Sequence, residues 1–81
     1  MLNRITAAES ACKHLIELLA VDGTPVLEEH FFADGVWQIT LSYMPPESAA
    51  RGIGIAREYK SFAVDGRTGE VLSMKIRLLK N

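Results

Sequence analysis

The chain has little of the chemistry that metal and disulfide sites require, since its 81 residues include one cysteine and two histidines. One cysteine excludes an intramolecular disulfide, and this content of Cys and His excludes a structural zinc cluster. No apolar run approaches the roughly 20 residues of a membrane-spanning helix. An excess of charge of one sign is also missing, because the formal net charge is −1. The chain therefore has no general electrostatic attraction for DNA or RNA.

The N-terminal segment lacks the pattern of a signal peptide. Polar and charged residues interrupt any apolar stretch there, namely Glu9, Lys13, His14 and Glu17. If Met1 is the native start, we expect a cytoplasmic protein; if the chain is cut from a longer exported protein, we expect an extracytoplasmic one. The length predicts a single domain over residues 1–81 with a small core.

Charge is distributed unevenly along the chain. Residues 1–50 carry two basic and seven acidic groups, which gives −5, whereas residues 51–81 carry seven basic and three acidic groups, which gives +4. The simpler interpretation is that the two halves pair with each other in the fold. The alternative is that the asymmetry steers association with a charged partner.

The first periodic segment predicts an amphipathic helix at about residues 6–21. Thr6-Ala7-Ala8-Glu9 fits a capping box, in which the Thr6 hydroxyl accepts a backbone N–H of the first turn. Apolar residues then recur at the spacing of one helix face: Ala8, Cys12, Leu15, Ile16 and Leu19, widened by Ala11 and Leu18. The segment Asp22-Gly23-Thr24-Pro25 ends this helix.

Extended segments follow the helix, and we predict strands over Val26–Ala33, Val36–Tyr43, Glu58–Val64 and Val71–Leu79. Asp34-Gly35 is a strong hairpin signal between the first two, and the turn at residues 65–69 contains glycines expected to adopt positive φ. Residues 44–57 form a loop with Pro45-Pro46 and Gly52-Ile53-Gly54. The simplest fold is α+β: an N-terminal helix packed on a four-stranded antiparallel meander sheet, in the order α-β-β-β-β.

Alternation along the strands predicts which sheet face the helix covers. The core face carries Trp37, Ile39, Leu41 and Tyr43 from the second strand, and Leu72, Met74, Ile76 and Leu78 from the last. The opposite face is half polar and half aromatic, and on this register it shows Glu28, His30, Phe32, Gln38, Thr40, Ser42, Tyr59, Ser61 and Arg77. Such a mixture suits a protein interface with a polar rim, although a solvated sheet face is an equal alternative.

The stretch Val64-Asp65-Gly66-Arg67-Thr68-Gly69-Glu70-Val71-Leu72 resembles the closing hairpin of PepSY domains, and Trp37–Tyr43 resembles their preceding strand. The resemblance spans about residues 6–78. It implies a non-catalytic module with a cystatin-like helix-on-sheet fold that inhibits or regulates peptidases or other partners. The chain departs from that family in having no visible export signal and in the Pro- and Gly-containing loop at 44–57, to which we assign its own partner specificity.

Catalytic and metal sites have little support in the sequence. Cys12 and His14 are two residues apart on a helix and point to different faces, so Cys12 is interpreted as a small buried hydrophobe. Glu28 and His30 share a strand face but lack a third metal ligand. Gly52-Ile53-Gly54 lacks the strand-to-helix context of a phosphate-binding loop. We therefore expect no enzyme activity, no cofactor and no metal.

A basic patch is the remaining candidate for nucleic-acid binding. Lys60, Lys75 and Arg77 would form it, with Arg51 and Arg57 nearby in sequence. Single-stranded nucleic acid needs aromatic rings among such charges, and Tyr59 is the one available contributor. Nucleic-acid binding is therefore disfavoured.

The function predicted from these features is a non-catalytic protein-binding or regulatory module resembling PepSY domains. The expected partner-binding residues are Glu28, His30, Phe32, Gln38, Thr40, Tyr59, Lys75 and Arg77. The alternative is a free-standing small inhibitor, of immunity, antitoxin or anti-defence type, that blocks a partner enzyme. An uncapped sheet edge or the open sheet face also allows a homodimer.

Overall fold

The computed structural model describes residues 1–19, 24–44 and 57–76. Within these ranges one helix precedes four strands, which form an antiparallel sheet in the order β1-β2-β3-β4. This confirms the predicted α+β arrangement. The elements are α1 at Arg4–Leu19, β1 at Val26–Ala33, β2 at Val36–Tyr43, β3 at Glu58–Asp65 and β4 at Val71–Ile76.

The helix begins two residues earlier than the sequence predicts, because Asn3 rather than Thr6 caps it. Asn3 Oδ1 accepts a 2.9 Å hydrogen bond from the backbone N–H of Thr6. An amide oxygen in this position satisfies one of the donors that the first helical turn leaves unpaired. The predicted capping box at Thr6 is therefore wrong. The predicted stop falls partly on residues 20–23, which lie outside the described residues.

The helix packs on the sheet through its smallest side chains. Ala7, Ala11 and Leu15 are fully buried and lie one above the other along one face of α1. They contact a sheet face formed by Ile39, Leu41, Tyr43, Phe62 and Val64. Two alanines at the contact bring the helix backbone close to β2 and β3. As a result the predicted apolar stripe is rotated, and Ile16 and Leu18 are exposed.

Both predicted turns are confirmed, although their glycines play different roles. Asp34 and Gly35 have φ of 52° and 77°, and this pair of positive angles is the geometry that two-residue hairpins favour. In the second turn Asp65 Oδ1 accepts the backbone N–H of Arg67 at 2.7 Å, and Gly69 has φ of 81°. Gly66 lacks the positive φ expected of it and serves a close approach between the two hairpins.

Two irregularities interrupt the ladders. In β1 the register passes from Leu27 opposite Leu41 to Glu29 opposite Thr40, so that Glu28 is an extra residue. In β4, Ser73 lies opposite Ala63 and Val71 lies opposite Val64, so Leu72 is the extra residue. Leu72 is 51% exposed, and its predicted place in the core is therefore wrong.

Two hydrogen bonds attach the N-terminal segment to the sheet. The backbone N–H of Leu2 donates to the Gly66 carbonyl at 2.7 Å, and the Trp37 indole N–H donates to the Leu2 carbonyl at 2.9 Å. These contacts position the start of α1 over the end of the sheet where the two hairpin turns meet. None of the helical segments in the described chain has the length and apolar character needed to span a bilayer.

Candidate functional site

Two expected partner-binding residues of β1 lie on the opposite face of the sheet from the one predicted. His30 lies opposite Ile39, and Phe32 lies opposite Trp37, so both are on the helix side of the sheet. Their rings contact Trp37, with ring centroids 6.3 Å and 5.1 Å away. The ladder runs without a shift from Ala33 opposite Val36 to Glu29 opposite Thr40, so the two-residue turn places both side chains on the face of Trp37 and Ile39. The prediction that His30 and Phe32 share a face with Gln38 and Thr40 is wrong.

The far face of the sheet, defined as the face away from α1, carries a closed polar centre. Ser42 is fully buried there. Its hydroxyl donates to Glu28 Oε2 at 2.5 Å and accepts from Arg57 Nε at 3.0 Å, while Arg57 also donates to the Ser42 carbonyl. Thr40, the next central-strand residue on this face, is also buried. Ser42, Glu28 and Arg57 satisfy one another's hydrogen bonds, so the centre of this face is less open to a partner than the sequence suggests.

The remaining predicted residues divide between faces. Tyr59 lies opposite Ser42, and Lys75 lies opposite Ser61, which places both on the far face as expected. Lys60 is on the helix side, with its ammonium 6.0 Å from the centre of the Tyr43 ring. The predicted basic patch of Lys60 with Lys75 is therefore wrong. Arg77 and Arg51, with the loop segment 45–56 and the predicted strand end at residues 77–79, lie outside the described residues.

An uncapped sheet edge is one of the expected interaction sites, but the sequence did not single out β1, which is an edge strand. All eight of its residues are exposed. Phe31 is on the far face and is 58% exposed, so it takes the place that Phe32 was expected to occupy. The exposed apolar side chains of this strand are Val26, Leu27, Phe31 and Phe32. The signal that could have revealed this is the run Phe31-Phe32, because on a half-buried strand one of two adjacent rings must face outward.

A groove runs between α1 and β1 on the helix side of this edge. It has a volume of about 220 Å³, and its apolar lining includes Ile5, Ala8, Cys12, Leu27 and Leu41. A second depression of about 360 Å³ continues along the helix past Cys12 to Ile16. We call the two together the α1/β1 groove. It exists because the helix is centred on β2 and β3, which leaves the outer flank of α1 uncovered above β1.

Acidic side chains border the α1/β1 groove. Glu9 lines both of its parts, Glu17 lines the second, and Lys13 lies between them on the helix. The Glu28 carboxylate lies on the far face of the neighbouring strand, where it accepts from Ser42, so it adds acidic charge to the β1 edge but does not line the groove. At the other edge of the sheet, the described residues of β4 carry a basic group, Lys75, and no acidic one. The two edges of the sheet thus differ in the sign of their charge.

The chemistry of Cys12 and His14 agrees with the sequence-based interpretation. Cys12 packs against the core and lines the α1/β1 groove, whereas His14 lines a separate groove with Gly69 and Glu70. The two side chains therefore lie on different sides of α1. Burial raises the pKa of the Cys12 thiol, which disfavours the reactive thiolate. This is the behaviour of a structural cysteine.

A buried tyrosine lies at the opposite end of the sheet from the hairpin turns. The Tyr43 hydroxyl donates to Glu58 Oε1 at 2.8 Å. Burial, reinforced by the neighbouring carboxylate, raises the pKa of Tyr43. A phenol that stays protonated in this way is a poor general base, and its hydrogen bond ties β2 to β3.

Metal ligands are not brought together in the part of the chain that the structure describes, where no three His, Cys, Asp or Glu side chains could share an ion. Comparison of the chain with protein-family models, with curated proteins and with solved structures finds no match.

Proposed function

We propose that the chain is a non-catalytic protein-binding module, resembling PepSY domains, that regulates a partner protein through the β1 edge. The observation that carries this proposal is the exposure of all eight residues of β1, with Phe31 at 58%. Edge strands that expose apolar side chains are sites of strand addition, and natural sheets protect edges that have no partner. The exposed apolar side chains of this strand flank Glu28, Glu29 and His30, with Val26 and Phe31 on the far face and Leu27 and Phe32 on the helix side.

The arrangement of the helix supports a binding role for the same edge. Because α1 is centred over β2 and β3, it leaves Leu27 and Phe32 of β1 incompletely covered. A partner that lies along β1 would bury these side chains together with the outer flank of the helix. The PepSY resemblance adds a family whose members bind and regulate other proteins.

Site-specific photo-crosslinking would test the proposal. A benzophenone amino acid replaces Phe31 in one variant and Leu72 in the other, and each is irradiated in a lysate of the organism that encodes the chain. The two positions are matched because both side chains are apolar, more than half exposed and located on opposite edge strands. We expect one dominant adduct at position 31 that is absent at position 72.

The outcome at the two positions separates the hypotheses. Equal adducts at both positions, or none at position 31, would refute binding through the β1 edge. If the adduct is an enzyme, its activity is measured with and without the purified chain. Loss of that activity on stoichiometric addition would favour the free-standing inhibitor, and unchanged activity would favour the regulatory module.

A further inference from the structure

We propose that the α1/β1 groove binds an amphipathic helix of a partner protein, which lies along α1 above β1. The apolar ridge of that helix fills the groove, and its flank carries a basic, an acidic and a basic side chain at four-residue spacing. The groove is on the helix side of the sheet, and most of its lining belongs to α1. It is therefore a contact surface beside the β1 edge and goes beyond the function proposed for that edge.

The helix α1 has a second apolar stripe in addition to the one that meets the sheet. The buried stripe consists of Ala7, Ala11 and Leu15. The second stripe is on the flank above β1, where its members line the groove: Ile5, Ala8, Cys12 and Ile16. These residues are three or four positions apart, which is the spacing of a face that packs against another element. Ile5 and Ile16 are 59% and 40% exposed, so this stripe is incompletely covered.

The shape of the groove fits the ridge of a helix. Its second part is lined by α1 side chains in two rows of four-residue spacing, Cys12 and Ile16 in one row and Glu9, Lys13 and Glu17 in the other. A depression between two such rows is the surface into which a side-chain ridge of a neighbouring helix packs.

The position of the groove also fits a helix. Packed helices have axes about 8–10 Å apart, and adjacent strands are about 4.8 Å apart. Because α1 is centred over β2 and β3, a helix at this distance lies almost directly above β1. There it covers Leu27, which lines the groove and is 36% exposed. An added strand would not fill the groove, because it extends the sheet in its own layer and not in the layer of the helix.

The two flanks of α1 differ in chemistry, and this difference selects the one above β1. On the flank next to the turn between β3 and β4, a groove of about 390 Å³ is lined by polar and charged groups that include Ser10, His14 and Glu70. Those groups would lose water to an apolar ridge without gaining partners from it. The lining above β1 has the apolar stripe instead.

Charge along the rim of the groove specifies the flank of the bound helix. Glu9, Lys13 and Glu17 line it in the order acidic, basic, acidic, about one helical turn apart. Side chains on the flank of a helix in the groove lie beside this row, so the complementary order is basic, acidic, basic. A second copy of α1 does not supply that order. In an antiparallel pair centred on Lys13, Glu9 of one copy would face Glu17 of the other, and the two lysines would face each other.

Disulfide tethering to Cys12 provides the direct test, because Cys12 lines both parts of the groove and is the one cysteine of the chain. The probes are three stapled helical peptides of about 18 residues, each with one central Cys. The first has an apolar ridge and a Lys-Glu-Lys flank; the second has the same ridge and a Glu-Lys-Glu flank; the third has the residues of the first in an order without a ridge.

The disulfide-bonded fraction of the full chain is measured by mass spectrometry at equilibrium in a fixed concentration of β-mercaptoethanol. We expect the disulfide with the first peptide to be roughly tenfold more stable than that with the third, because the third lacks the ridge. It should be roughly fivefold more stable than that with the second, and this preference should shrink at about 1 M salt. In urea, where the groove is lost, the three peptides should be equal.

Matched variants locate the site. Ile5 and Leu18 are both apolar residues of α1, 59% and 56% exposed, and of the two only Ile5 lines the α1/β1 groove. Ile5→Gln should lower the stability of the disulfide with the first peptide roughly fivefold, whereas Leu18→Gln should leave it within about twofold of the parent. The triple variant Glu9→Lys, Lys13→Glu, Glu17→Lys reverses the rim and should prefer the second peptide to the first.

Several results would overturn the proposal. They are equal disulfide stability for the first and third peptides or for the first and second, no disulfide with the first peptide in the folded chain, equal effects of Ile5→Gln and Leu18→Gln, or a rim-reversed variant that still prefers the first peptide. A dimer in sedimentation velocity that shields Cys12 from a maleimide would also overturn it, because a second copy would then occupy the groove.

The tethering and crosslinking results are independent of each other. If the crosslink at position 31 forms but the three peptides behave alike, the proposed function stands and the helix-binding groove is refuted. If the first peptide is preferred but no adduct forms at position 31, the groove stands and binding through the β1 edge is refuted.

Discussion

The Ser42 hydroxyl donates a 2.5 Å hydrogen bond to Glu28 Oε2 across the β1–β2 pair. Glu28 is the residue that the ladder passes over, so this contact attaches the extra residue of the bulge to the centre of the sheet. The tight turn at Asp34 and Gly35 places Phe32 opposite Trp37, and the bulge decides the orientation of the residues that precede it, Val26 and Leu27. The exposed edge proposed as the binding surface thus combines a regular segment after the bulge with an irregularity that one hydrogen bond accompanies.

Replacement of Ser42 tests the energetic role of this contact. Ser42→Ala removes both the bond to Glu28 and the one from Arg57 Nε in a fully buried position. We expect a loss of about 1–3 kcal/mol in the free energy of unfolding, because polar groups are left without partners. Urea denaturation measures this, with Ser73→Ala on the exposed β4 strand as the control expected to change little. Equal effects of the two substitutions would contradict the prediction.

Deletion of Glu28 tests the register directly. Without this residue, Val26, Leu27, Glu29 and His30 would face Ser42, Leu41, Thr40 and Ile39 in an uninterrupted ladder. We therefore expect the deletion variant to fold and to keep the contact between the rings of Phe32 and Trp37, as measured by NOEs. Deletion of His30 instead leaves Phe32 opposite Trp37, because the turn fixes that pair, but it brings Glu29 opposite the buried Ile39 on the helix side, so this variant should be the less stable of the two. Equal stability of the two deletion variants in urea would refute this account of the bulge.

Gly66 should not tolerate a side chain. A Cβ atom there would lie 2.6 Å from Phe32 Cε1 and 2.9 Å from the Gly35 carbonyl oxygen, which accepts the Gly66 N–H. We expect Gly66→Ala to lower the free energy of unfolding by about 1–3 kcal/mol. In a Phe32→Ala background the cost should fall but persist, since the backbone contact remains. Thermal denaturation of the four variants in this cycle measures the coupling, and additive effects would exclude the ring contact as a cause.

Substitutions at Asn3 and Thr6 test which of the two side chains caps the helix. Asn3→Ala should cost about 0.5–2 kcal/mol, the usual loss when a helix N-cap is removed. Asn3→Asp should retain stability, because a carboxylate accepts the same Thr6 N–H and interacts favourably with the helix dipole. Thr6→Val should change little, since the Thr6 backbone rather than its hydroxyl makes the capping bond. A larger loss in Thr6→Val than in Asn3→Ala, measured by chemical denaturation, would contradict this.

Tyr43 makes the stability of the fold sensitive to alkaline pH. In the folded state its pKa is raised above the ordinary value of 10.0, so the unfolded chain loses the phenolic proton first as pH increases. The free energy of unfolding should therefore be unaffected by Tyr43 at neutral pH and should fall as pH rises above about 10. Tyr43→Phe removes this decline, at the cost of the hydrogen bond to Glu58 at neutral pH. Equal alkaline slopes for the two proteins would refute the prediction.

Much of the fold follows from patterns that are local in the sequence. Asp34-Gly35 predicts a tight hairpin because both residues tolerate positive φ, and the bounds of the two flanking strands agree with the structure. Helical periodicity predicts α1, and alternation predicts that Ile39, Leu41 and Tyr43 face the core. These features are set by backbone sterics and by burial at fixed periods, which operate over a few residues.

The candidate site depended on contacts between distant residues. Alternation continued from Glu28 placed His30 and Phe32 on the far face, whereas the turn at Asp34 and Gly35 pairs Phe32 with Trp37. The bulge that reconciles the two is not evident near Glu28 in the sequence, because the hydroxyl that holds it comes from Ser42, 14 residues away. Periodicity likewise identified an apolar helix but not its rotation, which Ala7 and Ala11 determine by allowing close contact with β2 and β3. The sequence by itself determined the elements, their order and the core of the sheet. Only tertiary packing decided which β1 side chains contact the helix side and how far they are covered, since register and helix placement are properties of paired surfaces.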